Sequence, residues 1–498
     1  MIVDGLGHVR VAIVGAGFGG LGAAIRLKRH GIDDFVILER AGEVGGTWRD
    51  NTYPGCACDV PSHLYSFSFE PNPSWPHSYS GQDDIWAYLR GCVSRYGIEP
   101  HLRRNHEMRE AAWDEERGHW VVDTTGGRLT ADVLVSAAGP LAEPSVPDLP
   151  GLRSFAGTAF HSAQWRHDHD LTGRQVAVIG TGASAIQFVP KIAPQVQRLD
   201  LFQRTPAWVL PRANRRISAL EHRVFRAAPP VQRLFRTGVY LALEAAVLGF
   251  LHPRVMRIAQ RTAERNLRRA IPDPALRARL TPDFRMGCKR VLLSSTYLPT
   301  LNRDNVNVVT DPIAEIRPDG VVTTGGTANG RTAHEVDTII FATGFHVSDT
   351  PIAERIRGRD GVSLADAWQG SPRAYLGTTV AGFPNLFLLL GPNTGLGHSS
   401  VVFMMEAQLN YLLGALDYLR DNRITAVEPT VRAQEEFIAA VDRKMAGTVW
   451  SRGGCRSWYQ DATGRNSAIW PGSTWRYRQR VRRFDPGAYS TVAAKVPA

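Results

Sequence analysis

The sequence predicts an α/β protein, because two glycine-rich turns each stand between a short apolar strand and a helical segment. The first turn is Gly15–Gly20, after the apolar run Val9–Val14, and the second is Gly180–Ala185, after Gln175–Ile179. A third segment, between about residues 213 and 283, has a helical pattern and is rich in arginine. We therefore expect two Rossmann-like dinucleotide-binding domains with a helical insert.

Length, charge and cysteine content narrow the class of protein. The chain has 498 residues, 43% of them hydrophobic, so two or three domains with real cores are expected. The net charge of +11 comes without a helix-turn-helix, zinc or aromatic-basic motif, so we predict no nucleic-acid partner. No cationic, apolar leader precedes the first strand, and five cysteines leave one unpaired in any disulfide scheme. A reducing cytoplasm is the expected location.

The first glycine-rich turn has the residue order that binds a dinucleotide pyrophosphate. Gly15 permits the tight turn, Gly17 lets the backbone approach the pyrophosphate, and Gly20 lets helix and strand pack closely. The next strand, Asp34–Leu38, is followed by Glu39, at the offset where a carboxylate accepts the ribose hydroxyls. Because Glu39 would repel a 2′-phosphate, this turn is predicted to bind FAD or NAD rather than NADP.

The second turn repeats this design with one change. Its predicted cofactor-binding residues are Gly180, Thr181, Gly182 and Ser184. The strand that follows it ends in Gln203-Arg204-Thr205, with no acid. A guanidinium and a hydroxyl suit a 2′-phosphate, so this turn is predicted to bind NADPH. A merely solvated Arg204 at a strand end is the structural alternative.

Two strand-and-turn segments mark where one domain is inserted into the other. Val133–Pro150 is a strand that runs into a proline-rich crossing, and Asp337–Phe345 is a strand that ends in a glycine-containing turn. We expect a discontinuous FAD-binding domain at 1–148 and 333–498, the second part carrying a C-terminal active-site loop. The NADPH-binding domain is expected at 149–212 and 284–332, and the helical insert at 213–283.

Within the insert, Val239–Leu251 is an apolar run with Arg236 before it and Arg254 after it. At thirteen residues with Glu244 in their midst, it is too short to cross a bilayer. We therefore predict a buried helix and no transmembrane segment. A weak contact with a membrane surface, or a place in the wall of a substrate tunnel, is the alternative.

Two further motifs carry a resemblance to a known family. Phe155-x-Gly157-x-x-x-His161-x-x-x-Trp165, between the two turns, resembles the fingerprint of the type I Baeyer–Villiger monooxygenases, which are class B flavoprotein monooxygenases. The stretch from Gly46-x-Trp48 through Tyr53-Pro54-Gly55 to Asp59 is similar to their second fingerprint. The likeness covers most of the chain. One departure is Arg166, where the family usually has Pro or Asp after the tryptophan.

The resemblance implies an NADPH- and FAD-dependent monooxygenase. Members of the family pass a hydride from NADPH to FAD, capture O2 as a C4a-peroxyflavin, and insert one oxygen atom next to a ketone carbonyl to give an ester or lactone. It also implies that Arg290 is catalytic and that Asp59 pairs with it. Arginine suits this role because it stays protonated, and a preorganised charge beside a developing oxyanion contributes about 3–4 kcal/mol. An ordinary interdomain salt bridge between Arg290 and Asp59 is the alternative.

The remaining cofactor-binding expectations also rest on the resemblance. Lys289 would reach the 2′-phosphate together with Arg204 and Thr205. Residues around the flavin and the nucleotides would be Gly46, Trp48 and Tyr65 at the flavin and its diphosphate, Met108 at the adenine, Val401 in a helix aimed at the flavin pyrimidine, and Trp458 on a mobile loop over the nicotinamide. Each of them is otherwise an ordinary packing residue.

Two histidines invite a catalytic role that their positions argue against. Histidine as a residue type titrates near neutrality, but the expected place of His161 on the linker between the domains favours a hinge or packing role. His398 closes a glycine-rich loop just before the helix predicted at Ser399–Leu413. A helix cap, or support of the flavin-facing loop, is expected there rather than proton transfer.

Two other functions stay open. A flavin monooxygenase that acts mainly on sulfur or nitrogen shares the fold, and Arg166 favours it. A non-catalytic FAD/NADPH redox sensor would use the basic insert to contact a partner. Cys56-Ala57-Cys58 is not a Cys-x-x-Cys pair and has no histidine at metal-ligand spacing, which weakens a disulfide reductase and predicts no metal site. The expected substrates are O2 and a small ketone or sulfide; the natural substrate and the oligomeric state do not follow from the sequence.

Overall fold

The computed structural model describes residues 7–325 and 330–493. In chain order its strands are β1 (His8–Val14), β2 (Phe35–Leu38), β3 (Leu102–Arg103), β4 (Met108–Asp114), β5 (His119–Thr124), β6 (Gly127–Ser136), β7 (Thr158–His161), β8 (Gln175–Ile179), β9 (Arg198–Phe202), β10 (Val209–Leu210), β11 (Leu292–Leu293), β12 (Val306–Val309), β13 (Ile313–Arg317), β14 (Gly320–Thr324), β15 (Arg331–Glu335), β16 (Thr338–Phe341), β17 (Ile356–Arg357), β18 (Leu386–Leu388), β19 (Ile424–Pro429) and β20 (Tyr489–Ala493).

The α-helices cluster in the insert and in the last third of the chain. They are α1 (Phe18–Arg29), α2 (Thr47–Asp50), α3 (Gln82–Tyr96), α4 (Ala185–Ile192), α5 (Ala219–Ala227), α6 (Pro229–Leu251), α7 (Pro253–Ala270), α8 (Pro274–Arg279), α9 (Tyr297–Thr300), α10 (Leu364–Trp368), α11 (Val401–Asn422), α12 (Val431–Met445), α13 (Val449–Arg452) and α14 (Thr474–Arg480).

The first sheet combines strands from both ends of the chain. Its order is β17-β4-β5-β6-β1-β2-β3, and β18 also pairs with β6. β1 runs parallel to β2 and β6, whereas β4, β5 and β6 are antiparallel neighbours. The chain leaves this sheet after β6 and returns to it at β17 and β18. The first glycine-rich turn joins β1 to α1 at the carboxyl end of β1, which is where open α/β sheets bind ligands.

The second sheet is entirely parallel, in the order β12-β9-β8-β16-β7. β16 (Thr338–Phe341) lies inside it, between β8 and β7. The predicted boundary between residues 332 and 333, which gave this strand to the FAD-binding domain, is therefore wrong. The strand completes the second sheet before the chain crosses back, so the crossing follows Phe341. The second glycine-rich turn joins β8 to α4.

Apolar side chains fill both faces of the two sheets. β1 sends Val11 and Ile13 into one buried cluster and Ala12 and Val14 into another. β8 shows the same alternation in the second sheet. Strands that are covered on both faces are expected to be apolar, which explains why the buried parts of these two strands, 11–14 and 176–179, lack polar residues. α1 and α11 pack together on the first sheet and set the floor of the site described below.

Helix α6 differs from its prediction in length and in burial. It extends over 23 residues, because the helix begins at Pro229, well before the predicted apolar run that starts at Val239. Only 17% of its most apolar window is buried, so the predicted buried helix is wrong. Among the described residues it is the one helix long and apolar enough to cross a membrane, judged by length and composition alone. A single helix of this kind is weak evidence for a membrane span.

Candidate active site

The first glycine-rich turn is held open by backbone contacts that exclude side chains. Gly15 has a φ of +100°, and an added Cβ would lie 2.8 Å from the carbonyl oxygen of Ala137. An added Cβ on Gly20 would overlap the carbonyl oxygen of Gly15, so α1 lies directly on the turn. Gly17 precedes α1 and has no such neighbour. The amide groups of this helix start are therefore free to face an anionic group.

Glu39 lies beside this turn, as predicted, and is 4% exposed. Its Oε2 accepts a hydrogen bond from the amide of Ala16 at 2.9 Å. Its Oε1 accepts one from Arg49 at 2.9 Å, a partner that the sequence did not indicate. Arg49 also bonds both oxygens of Asp50, so one guanidinium faces two carboxylates. The local charge therefore stays negative, which disfavours a 2′-phosphate at this position.

Three predicted flavin-facing residues border the turn. An added Cβ on Gly46 would lie 3.2 Å from the Cα of Gly17, so the two backbones face each other closely. Trp48 donates a hydrogen bond from Nε1 to the hydroxyl of Tyr65 at 3.1 Å. Met108 is 2% exposed and lies in the buried cluster that contains the ends of β1 and β2. The structure thus places all four predicted residues, Gly46, Trp48, Tyr65 and Met108, around the strands that carry the first turn.

The second turn has the same construction. Gly180 has a φ of +112°, and a Cβ there would overlap the carbonyl that follows β16. No atom lies within 4 Å of a Cβ built on Gly182, so the backbone is open at this point. Thr181 donates a hydrogen bond to the carbonyl of Thr205 at 3.2 Å, which ties the turn to the end of β9. Ser184 precedes α4, and its side chain makes no capping bond.

Two cations converge beside the second turn. The ammonium of Lys289 lies 5.1 Å from the ring centroid of Phe284. Burial lowers the pKa of Lys289, and the nearby charge of Arg204 lowers it further. Arg204 and Lys289 come from segments far apart in the sequence, yet they are close enough to repel each other. A bound phosphate would relieve this repulsion, so the pair suits a 2′-phosphate.

Arg290 and Asp59 form the predicted ion pair. Nε and Nη2 of Arg290 lie 2.8 and 2.6 Å from the same Asp59 oxygen, Oδ2. The carboxylate raises the pKa of Arg290 above its ordinary value, so the guanidinium is permanently charged. Nη1 donates to the carbonyl of Leu396 at 3.4 Å, in the loop before α11. The side chain is still 31% exposed and can meet a ligand.

The loop before α11 brings unpartnered polar groups to the same place. α11 begins at Val401, and its amino end is capped by Ser400 rather than by His398. Both ring nitrogens of His398 and the hydroxyl of Ser399 are buried without a hydrogen-bond partner among the described residues. The nearest carboxylate, that of Glu244, lies 3.7 Å from His398 Nε2. Free donors at the positive end of a helix suit the carbonyl and nitrogen edge of a flavin.

The linker histidine is packed rather than poised for proton transfer. His161 is 1% exposed, and its Nδ1 accepts a hydrogen bond from the amide of Ala163 at 3.1 Å. Burial lowers its pKa to about 4, so the ring is neutral at neutral pH. Its ring meets that of Phe345 edge-on, 5.6 Å between centroids. His161 is the last residue of β7, so it belongs to the second sheet rather than to a linker between the domains. A Cβ on Gly157, just before β7, would overlap the carbonyl of Asp337.

The other fingerprint residues pack against the second sheet. Phe155 borders one of the buried clusters of that sheet, and the Trp165 ring lies 5.3 Å from that of Phe188. Arg166, the departure from the family pattern, forms an exposed ion pair with Asp168 at 2.7 Å. Arg166 is thus paired at the surface with a carboxylate only two positions away in the sequence.

The C-terminal loop brings two aromatic residues to the site. Trp458 is 46% exposed, and its ring centroid lies 4.3 Å from that of Tyr459. Tyr459 is buried, its hydroxyl has no hydrogen-bond partner among the described residues, and burial raises its pKa to about 12. The charge of Arg290 opposes this shift, which places the phenol close to the guanidinium. Sequence reasoning identified Trp458 and missed Tyr459.

A disulfide joins this loop to the segment that carries the cations. Cys288 and Cys455 are bonded across 167 residues of sequence. Cys288 directly precedes Lys289 and Arg290, so the bond ties them to the loop of Trp458. The odd cysteine count predicts a reducing compartment and no particular disulfide, so this bond is not among the sequence-based expectations. Such bonds are uncommon in cytosolic proteins. No local motif announces a pair at this separation.

Comparison with known proteins identifies the family. The chain is 54% identical over 490 residues to a Baeyer–Villiger monooxygenase of Streptomyces coelicolor, and the aligned residues cover 97% of this chain and 93% of that protein. It is 49% identical over 494 residues to a Baeyer–Villiger monooxygenase of Pseudomonas aeruginosa, with 99% and 93% covered. The chain belongs to the Baeyer–Villiger monooxygenase family. It is therefore an enzyme, a flavoprotein monooxygenase, and the predicted family and enzyme class are confirmed.

Solved structures and a family profile agree with this assignment. The closed crystal structure of a cyclohexanone monooxygenase matches with a TM-score of 0.87 and 29% identity, over 98% of this chain and 99% of that chain. The structure described as OTEMO in complex with FAD and NADP matches with a TM-score of 0.87 and 28% identity, over 97% and 99%. The profile described as pyridine nucleotide-disulphide oxidoreductase matches residues 12–227. The predicted fold class is confirmed, and the predicted cofactors are those of the second structure.

That profile covers redox-active disulfide enzymes, but the cysteines near the first turn do not fit one. Burial raises the pKa of Cys56 to about 12 and that of Cys58 further still, so both thiols are protonated and unreactive. This Baeyer–Villiger monooxygenase therefore matches the profile through its nucleotide-binding turns rather than through a dithiol.

Proposed function

We propose that this enzyme uses FAD, NADPH and O2 to insert one oxygen atom next to the carbonyl of a small ketone, giving an ester or lactone. The overall reaction is ketone, O2, NADPH and a proton to ester, water and NADP⁺. When bound, FAD would accept the hydride of NADPH and activate O2. The observation that carries the proposal is the Arg290–Asp59 ion pair, which lies where the loop before α11 and the C-terminal loop meet.

In this proposal, each glycine-rich turn binds one of the two nucleotides. FAD binds at Gly15–Gly20, with Glu39 at its ribose, because the local charge there is negative. NADPH binds at Gly180–Ala185, with its 2′-phosphate between Arg204 and Lys289. The FAD-binding domain then comprises the first sheet and the NADPH-binding domain the second sheet, including β16.

Arg290 would stabilise the negative charge that develops on oxygen when the ketone carbonyl is attacked. Asp59 holds two of its nitrogens and keeps the third, Nη1, directed toward the loop before α11. Asp59 is thus a positioning residue rather than a group that reacts. A thioether develops no oxyanion when it is oxygenated, so its oxygenation depends less on this charge.

The test is product analysis with the purified holoenzyme, NADPH and isotopically labelled O2. A cyclic ketone, an aryl ketone and a thioether are offered in turn, and we expect esters that carry one labelled oxygen. Arg290→Ala should slow ester formation by about 10²–10³-fold, the range expected for loss of one preorganised charge, and should spare sulfoxide formation more. Arg432→Ala, which replaces an arginine at the far surface, is the matched control.

Three results would contradict the proposal or a part of it. Sulfoxide formation without any ester would assign the enzyme to sulfur oxygenation. NADPH consumption that yields only hydrogen peroxide with every substrate would support the redox-sensor function instead. Unchanged ester formation in Arg290→Ala, with FAD still bound, would remove the role given to Arg290.

A further inference from the structure

The outward face of α6 is apolar over most of its length. Val231, Leu234, Leu241 and Leu248 are 44, 73, 59 and 52% exposed, at spacings that keep them on one side of the helix. The other exposed positions between Arg236 and Arg254 carry no Lys, Arg, Asp or Glu; they are Thr237, Gly238, Ala242, Ala245, Ala246 and His252. A surface helix of a globular protein normally turns charged residues outward. We call this face the outer stripe of α6.

The inner face of α6 carries the polar groups and fixes the helix to the protein body. Gln232 donates a hydrogen bond to the carbonyl of Asn72 at 2.7 Å. Arg236 donates to the carbonyl of Ser66 at 3.0 Å. Farther along, Glu244 accepts a hydrogen bond from the backbone amide of Thr474 at 2.7 Å. A helix bound in this way along one side cannot be surrounded by lipid, so α6 is not a membrane span in this fold.

Exposed arginines are frequent on α6 and on the two helices that pack against it, α5 and α7. Exposed arginines near it are Arg223 and Arg226 on α5, Arg233 on α6, and Arg254, Arg257 and Arg261 on α7. Exposed Val255 and Ile258 extend the apolar surface onto α7. The acids of α5, α6 and α7 are engaged, since Glu221 pairs with Arg215, Glu244 is turned inward, and Glu264 accepts a hydrogen bond from Gln260. This part of the surface thus combines an apolar helix face with a surplus of arginines, which we call its arginine rim.

We propose that the outer stripe of α6 docks this enzyme on the surface of an anionic lipid bilayer, with α6 lying parallel to the membrane. Apolar side chains would enter the acyl boundary while arginines contact lipid phosphates, the arrangement of membrane-surface helices. Charge favours this occupant over a second copy of the chain. Two copies meeting through the stripe would bring their arginine rims together, with few carboxylates to offset the repulsion.

The test is flotation of the purified holoenzyme with lipid vesicles. Vesicles of phosphatidylcholine alone are compared with vesicles that also contain phosphatidylglycerol, at low and at high salt. We expect binding to the anionic vesicles and little binding to the neutral ones. The double variant Leu234→Gln, Leu241→Gln should bind about tenfold or more weakly, because each leucine contributes apolar burial.

Matched variants separate the apolar from the charged contribution. Arg254→Gln with Arg257→Gln should weaken binding by about 30-fold, and mostly at low salt, since each of the two arginines adds about 1 kcal/mol near an anionic surface. Val431→Gln and Arg432→Gln alter exposed residues of the same kinds on α12 and should leave binding unchanged. FAD content and NADPH oxidation in solution verify that every variant folds.

Three results would overturn the proposal. The first is no binding to anionic vesicles at low salt. The second is binding that the leucine variants leave unchanged, which would make it a purely electrostatic attraction. The third is a concentration-dependent dimer that the leucine variants abolish in the absence of lipid, which would assign the stripe to a second copy of this chain.

Discussion

Substitution of Arg204 and Lys289 should remove the preference for NADPH over NADH. Both side chains lie beside the second glycine-rich turn, and the positive charge of Arg204 lowers the pKa of Lys289. A charge-assisted hydrogen bond to phosphate contributes about 1.5–3 kcal/mol. Because Arg204 is exposed, we expect a loss at the lower end, about tenfold in kcat/KM for NADPH in Arg204→Ala. Lys289 is partly buried, so Lys289→Ala should cost about 30–100-fold.

The assay is steady-state NADPH and NADH oxidation with a ketone substrate present. NADH lacks the 2′-phosphate, so its kcat/KM should change by less than about twofold in both variants. Arg303→Ala is the matched control, because the side chain of this arginine in the same part of the chain is hydrogen-bonded to Asn305. Equal losses with NADPH and NADH would refute the reasoning, since they would show that the two cations support the fold or the reaction rather than the phosphate.

Three more predictions concern the turns, the disulfide and the linker histidine. Gly20→Ala should give protein without FAD, because the new Cβ would overlap the carbonyl of Gly15, whereas Gly447→Ala meets no neighbouring atom and should keep the normal ratio of flavin to protein. Cys455→Ser should lower the free energy of unfolding by up to about 5 kcal/mol, the value that the chain-entropy model gives for a crosslink of this span. It should also speed amide hydrogen exchange in the loop of Trp458. Exchange as slow as in the native enzyme would contradict the view that the disulfide restrains this loop. Burial lowers the pKa of His161 from 6.5 to about 4. Between these pH values the unfolded chain therefore binds more protons than the folded chain. The resulting contribution of His161 to the free energy of unfolding, about 3 kcal/mol, is present above pH 6.5 and lost as the pH falls toward 4. His161→Gln should remove this contribution and so flatten the pH dependence of the free energy of unfolding between pH 6.5 and 4, while His63, with its pKa also lowered to about 4, and His119, whose pKa burial also lowers, keep theirs. An unchanged slope in denaturant titrations at several pH values would argue against this role of His161.

Local motifs made most of the fold readable. The glycine turns and the strands before them follow from residue order, because a turn of this kind requires glycine at fixed positions whatever surrounds it. The ion pair of Arg290 with Asp59 is expected from the family resemblance alone, because no local pattern brings together two positions 231 residues apart. The start of α11 was placed within two residues, although its cap is Ser400.

The features that could not be predicted are those that depend on which neighbours a residue meets in the folded chain. An apolar run reports that α6 is helical and apolar, but not which neighbours cover it, so its exposure could not be foreseen. The strand Thr338–Phe341 looks the same whether it joins the first or the second sheet, and only its pairing decides. The bond between Cys288 and Cys455, and the contact of Arg49 with Glu39, join segments whose proximity is a property of the whole fold.

Three consecutive residues of this enzyme serve three different partners. Cys288 is bonded to the C-terminal loop, Lys289 stands near Arg204, and Arg290 holds Asp59. An insertion or deletion of one residue in this segment would displace all three at once. Engineering for altered cofactor preference should therefore begin at Arg204, which lies outside this segment, so that a change of side chain leaves the spacing between the crosslink and the guanidinium untouched.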